Sequence, residues 1–421
     1  MLDAAGFRHY MIQSLTDEQI KAFAEQWYAT AGLAGRDGAE RLQTRLLDAV
    51  TRSRPVRELA GNPLLLTILA IIARRQRLPR DRAGVYSHAI SVLIAHWDED
   101  TKYLDLAPGI RAIADLDDRD RREMLERLAR HMQLGEGGIA GNHVLAEDVE
   151  KVFTNYLSQT LQLPPAPATT VARAMVTQFR ERNFILSRYG SEVYGFVHRA
   201  FLEYLAASDI VRRYEQRELS DEDLLEGVFR QRAADPHWHE VLLLIVAQTG
   251  ERFAARAVET LLDLPGSSQD AAAAPPPVLA LHALSEVRRI GQLGDLSVRT
   301  AQALVRHLQS NRRPVDSGRD LELPMSLLGL GWVGARHLLR WLHCDAAGGS
   351  YACYALIKDK EALKAVTLTA PTRTTGVLDQ DFKSSLRAGK AGGVDGIARS
   401  HKFTNRLRQS VISQNRFHIE R

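Results

Sequence analysis

The stretch YGFVHRAFLEYLA, residues 194–206, places one imidazole where the residue pattern changes. Phe196 and Val197 read as the end of a strand, and Phe201, Leu202, Tyr204 and Leu205 follow at helical spacing. His198 stands between them. An imidazole N–H at such a position can donate to an anion, a phosphate oxygen for example. The residue type alone fits a hydrogen-bonded structural histidine equally well. Pro63, in GNPLLLTILAII, stands at the start of an apolar helical stretch. A proline in the first turn of a helix removes no helical hydrogen bond and presents a flat apolar face.

Other chemistry-bearing residues carry weaker signals. His237, Trp238 and His239 suggest metal binding or stacking at first sight. On a helix, however, residues two apart do not share a face. His343, Cys344 and Cys353 lack the paired spacing of a zinc site. No nucleophile-elbow sequence singles out a Ser, His and Asp as a triad. The Gly389-Lys390 pair does not complete a phosphate-binding loop of the form G-x-x-x-x-G-K-S/T. Ser384 holds the first glycine position and Ala391 follows the lysine. No strand ending in paired acids for magnesium is evident. Neither a catalytic residue nor a metal ligand is assigned.

These residues need elements to hold them, and the patterning is helical almost throughout. TDEQIKAFAEQWYAT opens with a capping-box pair, Thr16 and Gln19, and carries Ile20, Phe23 and Trp27 on one face. AERLQTRLLDAVTRS turns Leu42, Leu46, Leu47 and Val50 inward. NPLLLTILAIIARRQ is apolar nearly all round, as a buried helix is. DRAGVYSHAISVLIAHWDED places Val85, Ala89, Val92, Leu93 and Trp97 on its inner face.

From about residue 116 the rhythm becomes three helices, a hairpin and a closing helix at 199–214. The hairpin arms are Phe184–Leu186 and Val193–Val197, around a turn at Tyr189-Gly190-Ser191-Glu192. That order is a winged helix. From 220 the chain reads as short helices of the length HEAT-like arrays favour, without a strict repeat. A linker is expected at 265–277, with further helices at about 278–290, 297–310, 325–343 and 350–365. Residues 366–421 form a basic tail that is expected to pack weakly.

Composition is that of a globular protein: 421 residues, 45% hydrophobic, 25% charged, net charge +4. The small charge excess gives little support for nucleic acid as a partner. Two cysteines cannot build a disulfide framework. Without a signal-peptide core or a run long enough to span a bilayer, the expected location is the cytoplasm, with no membrane partner.

Four stretches resemble, in the family's order, the NACHT-type NTPases of the signal-transducing (STAND) ATPase class. GFRHYMIQSLTDEQIKAFAEQWY is similar to the join between the NTPase core and its helical subdomain. ELAGNPLLLTILAII is similar to the helical segment after the nucleotide-binding core. FVHRAFLEYLAA resembles the end of the winged-helix domain, and PHWHEVLLLIVAQTG the first helices beyond it in bacterial members. The resemblance spans roughly residues 6–250 and implies a C-terminal portion lacking the P-loop core.

The implied organisation is a helical subdomain at 1–110, a winged helix at 111–215, a helical array at 216–365 and the tail. By the same resemblance Pro63 would lie on the adenine ring, and His198 would reach the β-phosphate of ADP and lock the inactive form. ATP or ADP and magnesium would then be bound by the full-length ATPase. This chain alone is expected to bind no cofactor and hydrolyse nothing. Its partners would be the missing NTPase core, a sensed ligand, most simply a protein, and further copies of itself on activation. Such bacterial members serve antiphage defence. Two rival readings stand beside this one. One is a winged-helix DNA-binding regulator using Arg173, Arg180 and Arg182 on TTVARAMVTQFRERN. The other is a stand-alone helical scaffold that binds protein.

Overall fold

A computed structural model of the chain describes residues 13–30, 35–75, 77–79, 81–95, 116–135, 141–265, 274–310 and 333–334. It divides into two compact units, Met1–Gln216 and Arg217–Arg421. Both are mainly helical, as the patterning predicts. Trp97, most of the 265–277 linker, the helix expected at 350–365, the one expected at 325–343 except for a turn at 333–334, His343, Cys344, Cys353 and the tail with Gly389-Lys390 lie outside the described residues.

The first unit opens with helices α1 (Asp17–Thr30), α2 (Gly35–Arg52), α3 (Arg54–Ala60), α4 (Pro63–Arg75) and α5 (Arg82–Ala95). The capping box forms: Thr16 N–H donates to Gln19 Oε1 at 2.9 Å, and Gln19 N–H to Thr16 Oγ1 at 3.3 Å. The buried face of α1 is Ile20, Ala24 and Tyr28, while Phe23 and Trp27 are half-buried and stack on each other at 5.6 Å. Tyr28 fills the core and its hydroxyl donates to the Ala70 carbonyl of α4 at 2.9 Å. Burial pushes its phenol up to about 12. On α4, Leu65, Leu66, Ile68, Leu69, Ala70, Ile72 and Ala73 are buried, which accounts for its near-uniform apolarity. On α5, Val85, Ala89, Ile90 and Ile94 are buried, and Val92 and Leu93 only half so.

The winged helix follows as α6 (Asp118–Leu134), β1 (Val144–Leu145), α7 (Ala146–Thr160), α8 (Pro165–Glu181), β2 (Leu186–Arg188), β3 (Val193–Phe196) and α9 (Arg199–Glu215). Asp117 and Asp120 form the capping box of α6, and Gly135 closes it in the left-handed conformation at φ 73°. The expected hairpin is present. A third strand joins it, so the sheet order is β1-β3-β2, antiparallel throughout. Val144 pairs with Tyr194 and Leu145 with Val193. Phe184, expected within a strand, instead precedes β2 at φ 51° and is 50% exposed.

Gly195 is required where it stands. A Cβ there would come within 2.0 Å of the Asn142 carbonyl oxygen. The Asn142 side chain acts as a substitute strand partner for Phe196: Nδ2 donates to its carbonyl at 2.5 Å, and Oδ1 accepts from its N–H at 3.1 Å. At the root of the wing, buried Asn183 donates to the Leu93 carbonyl at 2.7 Å and to that of Ile94 at 3.3 Å. It thereby caps the C-terminal turn of α5, whose carbonyls lack helical partners.

Helices α6 and α9 pack along each other around an ion network. Arg212 meets Asp209 at 2.6 Å, Glu126 at 3.1 Å and Glu123 at 3.3 Å. Arg130 meets Asp209 at 2.8 Å, and Arg122 meets Glu126 at 3.0 Å. Burial pushes the Glu126 and Asp209 carboxyls up from their ordinary values, and the surrounding guanidinium groups pull them back. Arg122 also donates to the Tyr204 hydroxyl at 2.7 Å and to Ser87 Oγ on α5 at 3.4 Å.

The second unit is a helical array. It comprises α10 (Asp221–Leu224), a π-helical turn (Leu225–Arg230), α11 (Pro236–Gln248), α12 (Glu251–Leu262), α13 (Pro276–Glu286), a 3-10 turn (Ile290–Gln292) and α14 (Gly294–Ser310). The segment SDEDLLEGVFRQ, part of the run of short helices expected from 220, widens into the π turn. This sets Phe229 against Phe253, edge to face at 6.0 Å. Helix α13 packs on α11, α12 and α14. The exposed side of α12 carries ion pairs, Arg299 with Glu259 at 2.8 Å and Arg289 with Glu251 at 4.0 Å. Among the described residues no helix is long and apolar enough to cross a membrane.

Candidate functional site

His198 is the N-cap of α9, with extended backbone at φ −141°, ψ 134°. Its Nδ1 accepts a hydrogen bond from the Ala200 N–H at 3.1 Å. A backbone N–H can only donate, so Nδ1 carries no proton in this geometry. The proton of the neutral ring is therefore on Nε2, which is left as a donor. The ring is half-buried and meets Phe201 edge to face at 6.4 Å. Burial lowers its pKa from the usual 6.5. A neutral imidazole with Nε2–H available is thus the resting form. It can give one hydrogen bond to an acceptor and can hold the start of α9 at the same time.

The end of the strand before it is fixed on its β2 side. Val197 N–H donates to the Ile185 carbonyl at 3.0 Å, and Leu186 pairs with Phe196. The approach to His198 is therefore a strand end, one residue and a helix cap, with each backbone position assigned.

Pro63 opens α4 and is exposed, as is its neighbour Leu64 at 37%. Asn62 caps the helix: its Oδ1 accepts from the N–H groups of Leu64 at 2.9 Å and Leu65 at 3.2 Å. The cap leaves the pyrrolidine ring facing outward, free to meet a flat ligand. The structure does not join Pro63 to His198 directly. Helix α5 packs against both α4 and α9 and is the element between them.

The remaining candidates resolve differently. Trp238 is buried under the Arg232 guanidinium at 5.0 Å. The ring of His239 bonds to the Ala233 carbonyl at 2.8 Å, and exposed His237 gives its N–H to the Asp235 cap. These three residues shape the start of α11 and do not converge. On α8, Arg173 pairs with Glu150 at 2.9 Å, and Arg180 pairs with Glu181 and reaches Tyr194. Two of the three arginines proposed for DNA reading are thus occupied within the protein.

The comparisons bear on this stretch. Residues 82–210 match the model of a family described as the winged helix-turn-helix domain C-terminal to NACHT. The match runs from the start of α5 to within α9 and includes His198. It supports a NACHT-associated winged helix in this chain, as the resemblance implies. It begins at Arg82, so α5 falls inside the matched stretch. A search of curated proteins returned no match.

Sequence reasoning passed over Asn142, Asn183 and Tyr86. A lone Asn in a Gly-rich run signals a turn, and nothing in the local sequence shows that it doubles as a strand partner 54 residues away.

Proposed function

We propose that this chain is the C-terminal regulatory and sensor portion of a NACHT-type NTPase of bacterial antiphage defence. The NTPase core supplies the phosphate-binding loop and the magnesium site. The winged helix closes on bound ADP: His198 Nε2–H donates to the β-phosphate, and Pro63 lies on the adenine. The chain by itself neither binds nucleotide tightly nor hydrolyses it, because the loop donors and lysine that grip a triphosphate belong to the core. The helical array of the second unit is the sensing surface, and ligand binding there releases the clamp and permits assembly of further copies. The protein acts in the cytoplasm.

The observation that carries this reading is the tautomer of His198. Within a stretch that matches a NACHT-associated winged helix, its Nδ1 is used by its own helix and Nε2–H remains to meet an anion. A size measurement on the protein assembled with its NACHT core, loaded with ADP, tests the role. His198→Ala should shift it from monomer toward oligomer. A variant that stays as monomeric as the parent under ADP removes His198 from the lock.

A further inference from the structure

The Ala200 N–H bond to Nδ1 is one hold on the orientation of His198, and a ring contact is a second. Its ring rests edge to face on Phe201, at 6.4 Å and 69°. Phe201 is fully buried and also meets Tyr86 of α5 edge to face, at 6.5 Å and 82°. Tyr86 is itself wedged: it tilts against Tyr204 at 5.7 Å, and Arg122 donates to the Tyr204 hydroxyl at 2.7 Å while spanning to Ser87 on α5. Three rings therefore run from α5 through α9 to the imidazole. Edge-to-face aromatic pairs have a preferred angle as well as a distance, so each ring restricts the rotation of the next.

The same helix has a second connection. Helix α5 also packs on α4, which presents Pro63 at its N-terminus. The position of α5 is in turn set by Asn183, which holds the carbonyls of Leu93 and Ile94 from the root of the wing, at 2.7 Å and 3.3 Å.

We propose that Tyr86 is a positioning residue for His198. Through Phe201 it supports the orientation that the Ala200 N–H bond sets, with Nε2–H left as the donor, and it ties that orientation to the placement of α5. Tyr86 touches no ligand in this scheme. A displacement of α5 would reach the imidazole as a rotation of Phe201. Burial lowers the pKa of His198, and Phe201 is one of the side chains that pack against its ring. The positioning of the ring stands on the geometry of this chain. Its consequence for nucleotide rests on the proposed ADP contact.

Two arms keep the two claims apart. In the chain itself, the His198 ring is followed by NMR across its titration. Tyr86→Leu and Phe201→Leu should both move the midpoint up toward that of an ordinary histidine and change the ring's fixed environment. Phe153→Leu, which removes a buried ring packed on Phe179 instead, should destabilise the unit and leave His198 as it was. If Tyr86→Leu leaves the midpoint and the ring signals at their parental values, the positioning role is overturned. In the protein with its NACHT core, Tyr86→Leu should weaken ADP by about three- to tenfold, the range expected for a side chain released from a fixed rotamer. It should have no further effect in a His198→Ala background. Equal losses in both backgrounds would overturn the positioning role while leaving the histidine contact standing. If His198→Ala itself leaves ADP affinity unchanged, the nucleotide reading falls, and the NMR arm still decides whether Tyr86 positions the ring.

Discussion

Replacing Gly195 with alanine should unseat the wing that delivers His198. The added methyl would lie 2.0 Å from the Asn142 carbonyl oxygen and 3.0 Å from Tyr189 Cε2. The tyrosine ring can give way, but the carbonyl is backbone. To restore contact the 142–145 segment must retreat from β3 by about an ångström or more, to the distance of ordinary van der Waals contact. That motion opens both bonds between Asn142 and Phe196 and the pairing of β1 with β3. Two hydrogen bonds contribute about 1–3 kcal/mol together. Overpacking adds about 1–3 kcal/mol, and alanine recovers about 0.4–1 kcal/mol through the unfolded chain. The net loss is about 1–5.5 kcal/mol, or roughly 2–20 °C in the melting of a unit of this size. Gly190→Ala is the matched control, because its Cβ would meet only Val193, at 3.8 Å. Thermal unfolding combined with hydrogen exchange over β3 reads the effect. A Gly195→Ala protein within about 0.5 kcal/mol of the parent, the range of an inert surface change, would refute the reasoning.

Burial holds the folded pKa of His198 below 6.5, so as pH falls the unfolded chain takes up the proton first. The stability it contributes is present above 6.5 and lost below it; His198→Asn, which keeps a cap acceptor but does not titrate, should show a smaller fall in thermal midpoint from neutral to mildly acidic pH. Tyr28 has the opposite sign: its pKa is raised from 10.0 to about 12, so its contribution is complete below 10.0 and disappears as pH rises toward 12. Tyr28→Phe should remove that alkaline loss, and an ultraviolet titration should show one phenol fewer ionising at the high end. Duplex DNA should bind weakly, since the proposed role of the winged helix is an intramolecular clamp and the net charge is only +4; a mobility shift that falls steeply with salt and is abolished by Arg173→Ala would favour the DNA reading instead.

The helices were legible because each carries its own signal. The capping pair at Thr16 and Gln19 forms as hydrogen bonds. The wing was legible as a hairpin from its β-rich arms and turn residues. Strand β1 was not, because two residues, Val144 and Leu145, leave no period to read, and the pairing that makes them a strand comes from Tyr194 and Val193 far along the chain. The inner face of α1 was read one step off. Aromatic Phe23 and Trp27 drew the stripe toward themselves, and the core instead takes Ile20, Ala24 and Tyr28, which lie four residues apart. His198 and Pro63 stood out through motif and position. The tautomer of the one and the outward face of the other depend on the N–H of Ala200 and the cap of Asn62, contacts that only the fold supplies. Tyr86 could not be foreseen as a neighbour of Phe201, because an apolar residue on a helix face does not name the helix it meets.

The most direct test of the regulatory reading is the affinity of ADP for the protein carrying its NACHT core, measured by calorimetry with His198 and with His198→Ala at neutral pH. A hydrogen bond from the imidazole to a charged phosphate contributes about 1.5–3 kcal/mol, so the substitution should weaken ADP roughly tenfold or more. ATP should be affected less, since the contact belongs to the closed, ADP-bound form. Equal ADP affinity in the two proteins would contradict the account and leave His198 as a helix cap alone.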